Sequence, residues 1–231
     1  RASLVRRGRH SGAAIPIIVE DVVWGELFVT SGADDPPFTL ADGPYLNAIA
    51  GFVAIAISRA EDLQRRTRFA NEDPLTRLPN RRQIERHVTD RLRDPRRSEP
   101  VTLAMIDVLG LRHLNREHSH IVGDEALIRL AATLERSSIA QVNALAGRIG
   151  GDEFALVIDG TAAQAQQVIE RVQERVNGEP PHLSLSVGIA TSTTDEAFTD
   201  LLERADAAQY AAKHHNRPVV LYHEIEELDG P

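Results

Sequence analysis

The sequence has no cysteine, one tryptophan and one methionine, and aromatic residues fill only 4% of its 231 positions. Without cysteine there is no disulfide framework, no thiolate nucleophile and no cysteine-ligated metal. A reducing cytoplasm is the expected location. Long apolar runs are missing as well. The longest, Ala48 to Ile57, falls short of the ~20 residues that cross a bilayer, so no membrane contact is expected within this segment. No secretory leader is visible and the first residue is Arg1 rather than Met. The chain therefore reads as a piece of a longer protein, whose upstream part can carry membrane segments. Basic residues are outnumbered, 26 Lys and Arg against 34 Asp and Glu, for a net charge of −8. That balance argues against non-specific nucleic-acid binding, and the basic cluster Arg6-Arg7-Gly8-Arg9 reads as a solvated loop. What is present is a 42% hydrophobic content, enough for a packed core in one large domain or two small ones.

Residues 13 to 30 read as two strands joined by the acidic turn Glu20-Asp21, and 31 to 38 as a loop rich in Gly, Asp and Pro. A helix should start near Thr39 or Asp42. Its apolar positions Leu46, Ile49, Val53, Ala56, Ala60 and Leu63 alternate steps of three and four. That spacing suits either a helix packed on its own sheet or a parallel dimer helix joining two domains. Beyond Ser58 the composition turns charged and a connecting helix is expected, broken at 71 to 82 by Pro74 and Pro79. Helical faces follow at Ile84, Val88 and Leu92, at Leu127, Leu130 and Leu134 from a start at Gly123-Asp124, at Ala165 to Val176, and at Leu201 to Ala212. Strands alternate with them at "VTLAMID", "NALAGRI", "FALVID", "LSLSVGIA" and "PVVLY". The expected fold is α/β, a mixed central sheet flanked by helices and containing at least one hairpin.

Acids sit where apolar strands end. Asp107 closes a strand that should be central, and Asp152-Glu153 follow Gly150-Gly151 at a hairpin turn. If those strands are neighbours, three carboxylates collect at one edge of the sheet and raise one another's pKa. Hard oxygen donors without thiols suit Mg²⁺, and paired glycines let backbone approach a ligand closely. The alternative is a tight type I′ or II′ hairpin with solvated acids after it. Spacing alone leaves both open.

The neighbourhood of "GGDEF" resembles the diguanylate cyclase family over residues 73 to about 223. The matching segments are "DPLTRLPNRR" (73–82), "IDVLGLRHLNREHSHIVGDEAL" (106–127) and "AAQYAAKHHNR" (207–217). This resemblance implies a nucleotidyl-cyclase-like palm that condenses two GTP into cyclic di-GMP with release of two pyrophosphates. Each subunit would hold one GTP, so a homodimer would be needed. Two Mg²⁺ (or Mn²⁺) ions per site would be held by Asp107, Asp152 and the Val108 carbonyl, with Asp152 or Glu153 assisting deprotonation of the 3′-hydroxyl. Asn115 and Asp124 would read the guanine edge, with His120 supporting the pocket. Backbone near Gly110 and Leu111 would hold phosphate beside Arg112, Gly150 and Gly151 would make room for the nucleotide, and Lys213 and Arg217 would meet the β- and γ-phosphates.

Several positions depart from the family pattern. Leu109 stands where a second Asp is common, Leu111-Arg112 where Phe-Lys is, Arg116 for an acid and Ser119 for a glycine. None removes a required ligand, but they border the nucleotide pocket, which leaves a catalytically weak GTP-binding regulatory module as the alternative. The usual Arg-x-x-Asp product-inhibition site is replaced by Gln141 and Ala144, so no inhibition by that route is expected. Residues 1–57 resemble the C-terminal part of a GAF sensor domain, incomplete as a ligand pocket. The implied domains are 1–57 sensor, 58–72 connecting helix and 73–227 cyclase. The histidines 113, 118, 120, 214 and 215 read as soluble-loop residues, and Glu125-Ala126-Leu127 as helix rather than a phosphodiesterase signature.

Overall fold

The computed structural model describes residues 9–32, 34–139, 144–178 and 180–228. Two compact units divide at Arg68 and Phe69.

In the first unit, β1 (Arg9–Val19) and β2 (Val22–Gly32) form an antiparallel hairpin. The turn residues Glu20 and Asp21 both have left-handed φ values, 50° and 63°, the sign that matches the twist of a two-residue hairpin. Strand alternation turns Ile15, Ile17 and Val19 to one face, where Leu46 and Ala50 of helix α1 (Gly43–Asn71) cover them, flanked by half-buried Val53, Ala54 and Ile57. Of the two readings of the three-and-four spacing, Leu46 and Val53 follow the first: they pack on their own sheet. Leu63 is instead 67% exposed, as are Phe52 at 73% and Ile55 at 53% on another side of the helix. By length and composition the stretch 40–71 is also long and apolar enough to span a bilayer, more so than its short uninterrupted apolar run indicates. The connecting segment expected from residue 58 is the unbroken continuation of α1.

The second unit is a five-stranded mixed sheet between two helical layers. Its strands are β3 (Val101–Leu109), β4 (Ala144–Arg148), β5 (Glu153–Asp159), β6 (Ser184–Thr191) and β7 (Val219–Leu221), in the order β4-β5-β3-β6-β7. All pairs are antiparallel except β6 with β7. Strand β3 is central and buried from Val101 to Val108, which is why it reads as a nearly continuous apolar run. Its alternate residues serve different layers. Ala104, Ile106 and Val108 meet α4 (His120–Ile139) and α5 (Ala162–Gly178). Val101, Leu103 and Met105 meet α2 (Arg81–Arg93) and α6 (Phe198–His214). The side chain of Asn80 caps α2 by accepting from the Gln83 amide at 3.1 Å.

Three local features differ from the sequence reading. A short helix α3 (Leu111–Glu117) follows β3, and α4 begins at His120 rather than at Gly123. The break between them is only two residues, too short for a composition signal. A last turn of helix, α7 (Ile225–Leu228), packs Ile225 and Leu228 beside Ala211 and Val220.

Candidate functional site

Strand parity places the acids. Position 107 falls on the α2/α6 face of β3, and its cross-strand partner in β5 is Glu153, so both carboxylates share that face. The Val108 amide donates to the Asp152 carbonyl at 3.0 Å, which brings the third acid to the same sheet edge. Asp107 is buried, and its Oδ2 accepts from Lys213 Nζ at 2.8 Å. Lys213 lies in the last turn of α6, so the packing of one helix on the sheet sets this ion pair.

The turn Ile149–Asp152 is held from behind. Arg148 Nη2 donates to the Gly151 carbonyl at 2.7 Å and its Nη1 to Asp73 Oδ1 at 2.9 Å. The same Asp73 oxygen accepts from the Thr76 amide and hydroxyl, each at 2.8 Å. Burial works to raise the Asp73 pKa, but the Thr76 amide and Arg148 outweigh it and hold it below the ordinary value. Neither Gly150 nor Gly151 has a left-handed φ, so this is not the primed hairpin turn that would demand glycine for its backbone. A Cβ on Gly151 would meet nothing within 4 Å; the glycine leaves open space in front of the turn.

Beyond β3 the chain bends through Gly110, whose φ of 79° suits glycine, into α3. Asn115 on α3 is half-buried, with its Oδ1 buried and unpartnered. It lies so close over α4 that a Cβ on Gly123 would sit 1.9 Å from that oxygen. Asp124, the next residue, is exposed, as are His120, Arg112 and Arg217, and Leu111 is half-buried. Asn115, Gly123 and Asp124 thus sit together on the α4/α5 side of the sheet edge, and Lys213 on the α2/α6 side. Ala144 opens β4, half-buried against the core, while Gln141 lies outside the described residues.

Two charged residues at this edge, Asp206 and Arg81, have no counterpart in the reading from sequence. Their influence shows at Glu153, which remains exposed but whose pKa is raised by partial desolvation at the sheet edge and by the crowding of Asp206, Asp152 and Asp107, with Arg81 opposing. Asp206, on α6, is also exposed, and partial desolvation against the sheet raises its pKa against the pull of Arg81. Asp206 precedes Lys213 by seven residues, two helical turns; that spacing is the available signal. Glu153 and Asp206 both favour the protonated form when folded, so their stabilising contribution is full below the ordinary values of 4.5 and 3.8 and is lost as pH rises through the raised ones. Asp206→Asn should therefore raise the Tm of chelator-treated protein at pH 7.5, and the gain should shrink towards pH 4. An unchanged or lower Tm at pH 7.5 would count against crowding. Among the described residues no three carboxylates or imidazoles converge to hold a metal ion as they stand, with Asp107 engaged by Lys213.

The family model for "Diguanylate cyclase, GGDEF domain" matches residues 70–218, so the chain belongs to the diguanylate cyclase (GGDEF) family. It is 34% identical over 211 residues to an uncharacterized Streptomyces griseus protein, covering 87% of this chain and 86% of that one. It is 34% identical over 157 residues to the diguanylate cyclase DgcP of Pseudomonas aeruginosa, covering 63% of this chain but only 23% of DgcP. In fold it is similar to the coiled coil and GGDEF domain of DgcB from Caulobacter crescentus, solved with cyclic di-GMP, with a TM-score of 0.67, 24% identity, and coverage of 76% of this chain and 97% of that one.

Proposed function

We propose that the chain is a diguanylate cyclase, joining two GTP into cyclic di-GMP and two pyrophosphates across a homodimer. The observation that carries this reading is the shared edge of Asp107, Asp152 and Glu153, with Lys213 paired to Asp107, on a chain of this family. The donor set is all hard oxygen, which fits magnesium; Asp107, Asp152 and the Val108 carbonyl would hold it. Bound there, the ion would make the 3′-hydroxyl a better nucleophile and offset charge on the phosphate under attack.

The other steps belong to the chain's own residues. Asn115 brings a buried oxygen without a partner, an acceptor suited to guanine's amino group, and Asp124 adds a carboxylate that adenine could not satisfy. The amides after Gly110, together with Arg112, Lys213 and Arg217, hold the phosphates, and His120 borders the pocket. Glu153 takes the proton from the attacking 3′-oxygen as the new P–O bond forms and the pyrophosphate oxygen leaves. Its raised pKa suits it to accept that proton. The GAF-like first unit would regulate how two cyclase units meet.

The test is turnover: incubate the chain with GTP and Mg²⁺ and resolve cyclic di-GMP and pyrophosphate by chromatography. A verified dimer that binds GTP without product would favour the second reading, a GTP-binding regulatory module. Leu111, Arg112, Arg116 and Ser119 around the pocket motivate that alternative.

A finer check is Gly123→Ala. The new methyl would displace the end of the Asn115 side chain, which is flexible, rather than backbone. GTP affinity should fall about tenfold, the worth of one lost hydrogen bond to a charged or buried partner, with Tm within a few degrees of the parent. Undiminished affinity by calorimetry would remove Asn115 from the pocket.

A further inference from the structure

On the outer side of α6, Tyr210 is 69% exposed. Its ring lies parallel to that of His214, with centroids 6.1 Å apart and planes 6° from each other. His215 braces His214 edge-on at 5.2 Å. This pair lines a cleft of about 470 Å³ together with Asp206, Ala207, Ala211 and Ile225. Small residues next to a pre-stacked aromatic pair leave a mostly apolar recess, with the Asp206 carboxylate and two imidazoles as its polar groups. That shape suits a planar heteroaromatic ring with N–H donors, and the volume is in the range of nucleotide-sized sites.

Position matters as much as shape. Residues 206, 210, 213 and 217 recur every three or four positions, so Tyr210 shares a helical stripe with Asp206, which crowds Glu153, and Lys213, which holds Asp107. Asn115 and Asp124 lie on the opposite side of the sheet edge, and they would read a base by its edge. A base held that way keeps its faces free.

We propose that Tyr210, stacked on His214, is the platform for the guanine base of the nucleotide carried by a second copy of the chain. This rests on the cyclase reading. Stacking of a base on an aromatic side chain is worth about ten- to a hundredfold in binding, enough to orient the attacking nucleotide beside Glu153.

The chain's one tryptophan is Trp24, so the double variant Trp24→Phe, Tyr210→Trp carries a single fluorescent reporter at the platform. Titration with 3′-deoxy-GTP, which has no attacking hydroxyl, should quench that indole saturably, with half-saturation falling as protein concentration rises. Tyr210→Ala should lower kcat/KM about ten- to a hundredfold while the GTP affinity of dilute protein changes less than about twofold. Tyr210→Phe should retain both. An unquenched reporter in protein shown by calorimetry to bind the nucleotide would overturn the platform alone. Quenching by cyclic di-GMP and not by 3′-deoxy-GTP, or quenching independent of protein concentration, would overturn the assignment to a second copy's substrate. A chain that binds no guanine nucleotide at all would overturn the cyclase reading and the platform with it.

Discussion

Asp152→Asn should lower cyclic di-GMP formation by about a thousandfold or more and leave the fold intact. The two halves of that expectation have separate causes. The Asp152 backbone, not its side chain, accepts the Val108 amide that ties the turn to β3, and asparagine keeps that carbonyl. The side chain is half-exposed and has no structural partner to lose. It also adds to the crowding of Glu153, so neutralising it should hold or slightly raise the Tm. What goes is one anionic oxygen donor among the few at this edge, and a thousandfold corresponds to about 4 kcal/mol of transition-state stabilisation, a magnitude expected of a metal-ligating group. The measurement is product formation at saturating GTP and Mg²⁺ beside a thermal melt. Substantial residual turnover would remove Asp152 from the groups that hold the metal; a collapsed melt would mean that the side chain carries structure.

Much of this architecture is legible in the sequence because the second unit follows period rules. Strand β3 shows as an apolar run, the helices show as three-and-four stripes, and the acid positions show by where the strands stop. The contacts that shape the site are less visible because they join distant segments. Arg148 is in plain view before the glycine pair, but its grip on Asp73 spans 75 residues. Asp206 looks like an ordinary surface acid until α6 lies against the sheet. The three-and-four spacing of α1 fits two partners equally well, and only the hairpin that precedes it assigns Leu46 and Val53. The reverse also occurs: Gly150-Gly151 suggests a turn needing left-handed backbone, and the structure instead has an ordinary turn with free space in front of it.

Gly188 shows how closely the site depends on packing outside it. A Cβ there would stand 1.9 Å from the Gln209 amide nitrogen, 2.3 Å from the Ala205 carbonyl oxygen and 2.6 Å from the Ala208 carbonyl carbon. All three are backbone atoms of α6, so no side-chain rotation can relieve them. The methyl of Gly188→Ala would push the helix off β6 around Ala205 to Gln209. Overpacking of a rigid core costs about 1–3 kcal/mol and occasionally more; with backbone on every side the upper end is expected. At about 2–4 °C per kcal/mol for a unit of this size, the Tm should fall by roughly 6–12 °C. The functional loss should exceed the folding loss. The same helix carries Lys213 to Asp107 at 2.8 Å, and a shift of about 1 Å at Gln209 propagates one turn to Lys213, where misplacements of that size cost about a hundredfold in rate. Gly151→Ala is the matched control, since its Cβ would meet nothing within 4 Å, and its melt should stay close to the parent. Melting of both variants, and turnover of Gly188→Ala measured below its transition, decide the matter. A Gly188→Ala protein with parental Tm would show that α6 is held less tightly than these distances require, and one that is destabilised yet fully active would separate the seat of the helix from the pairing of Lys213 with Asp107.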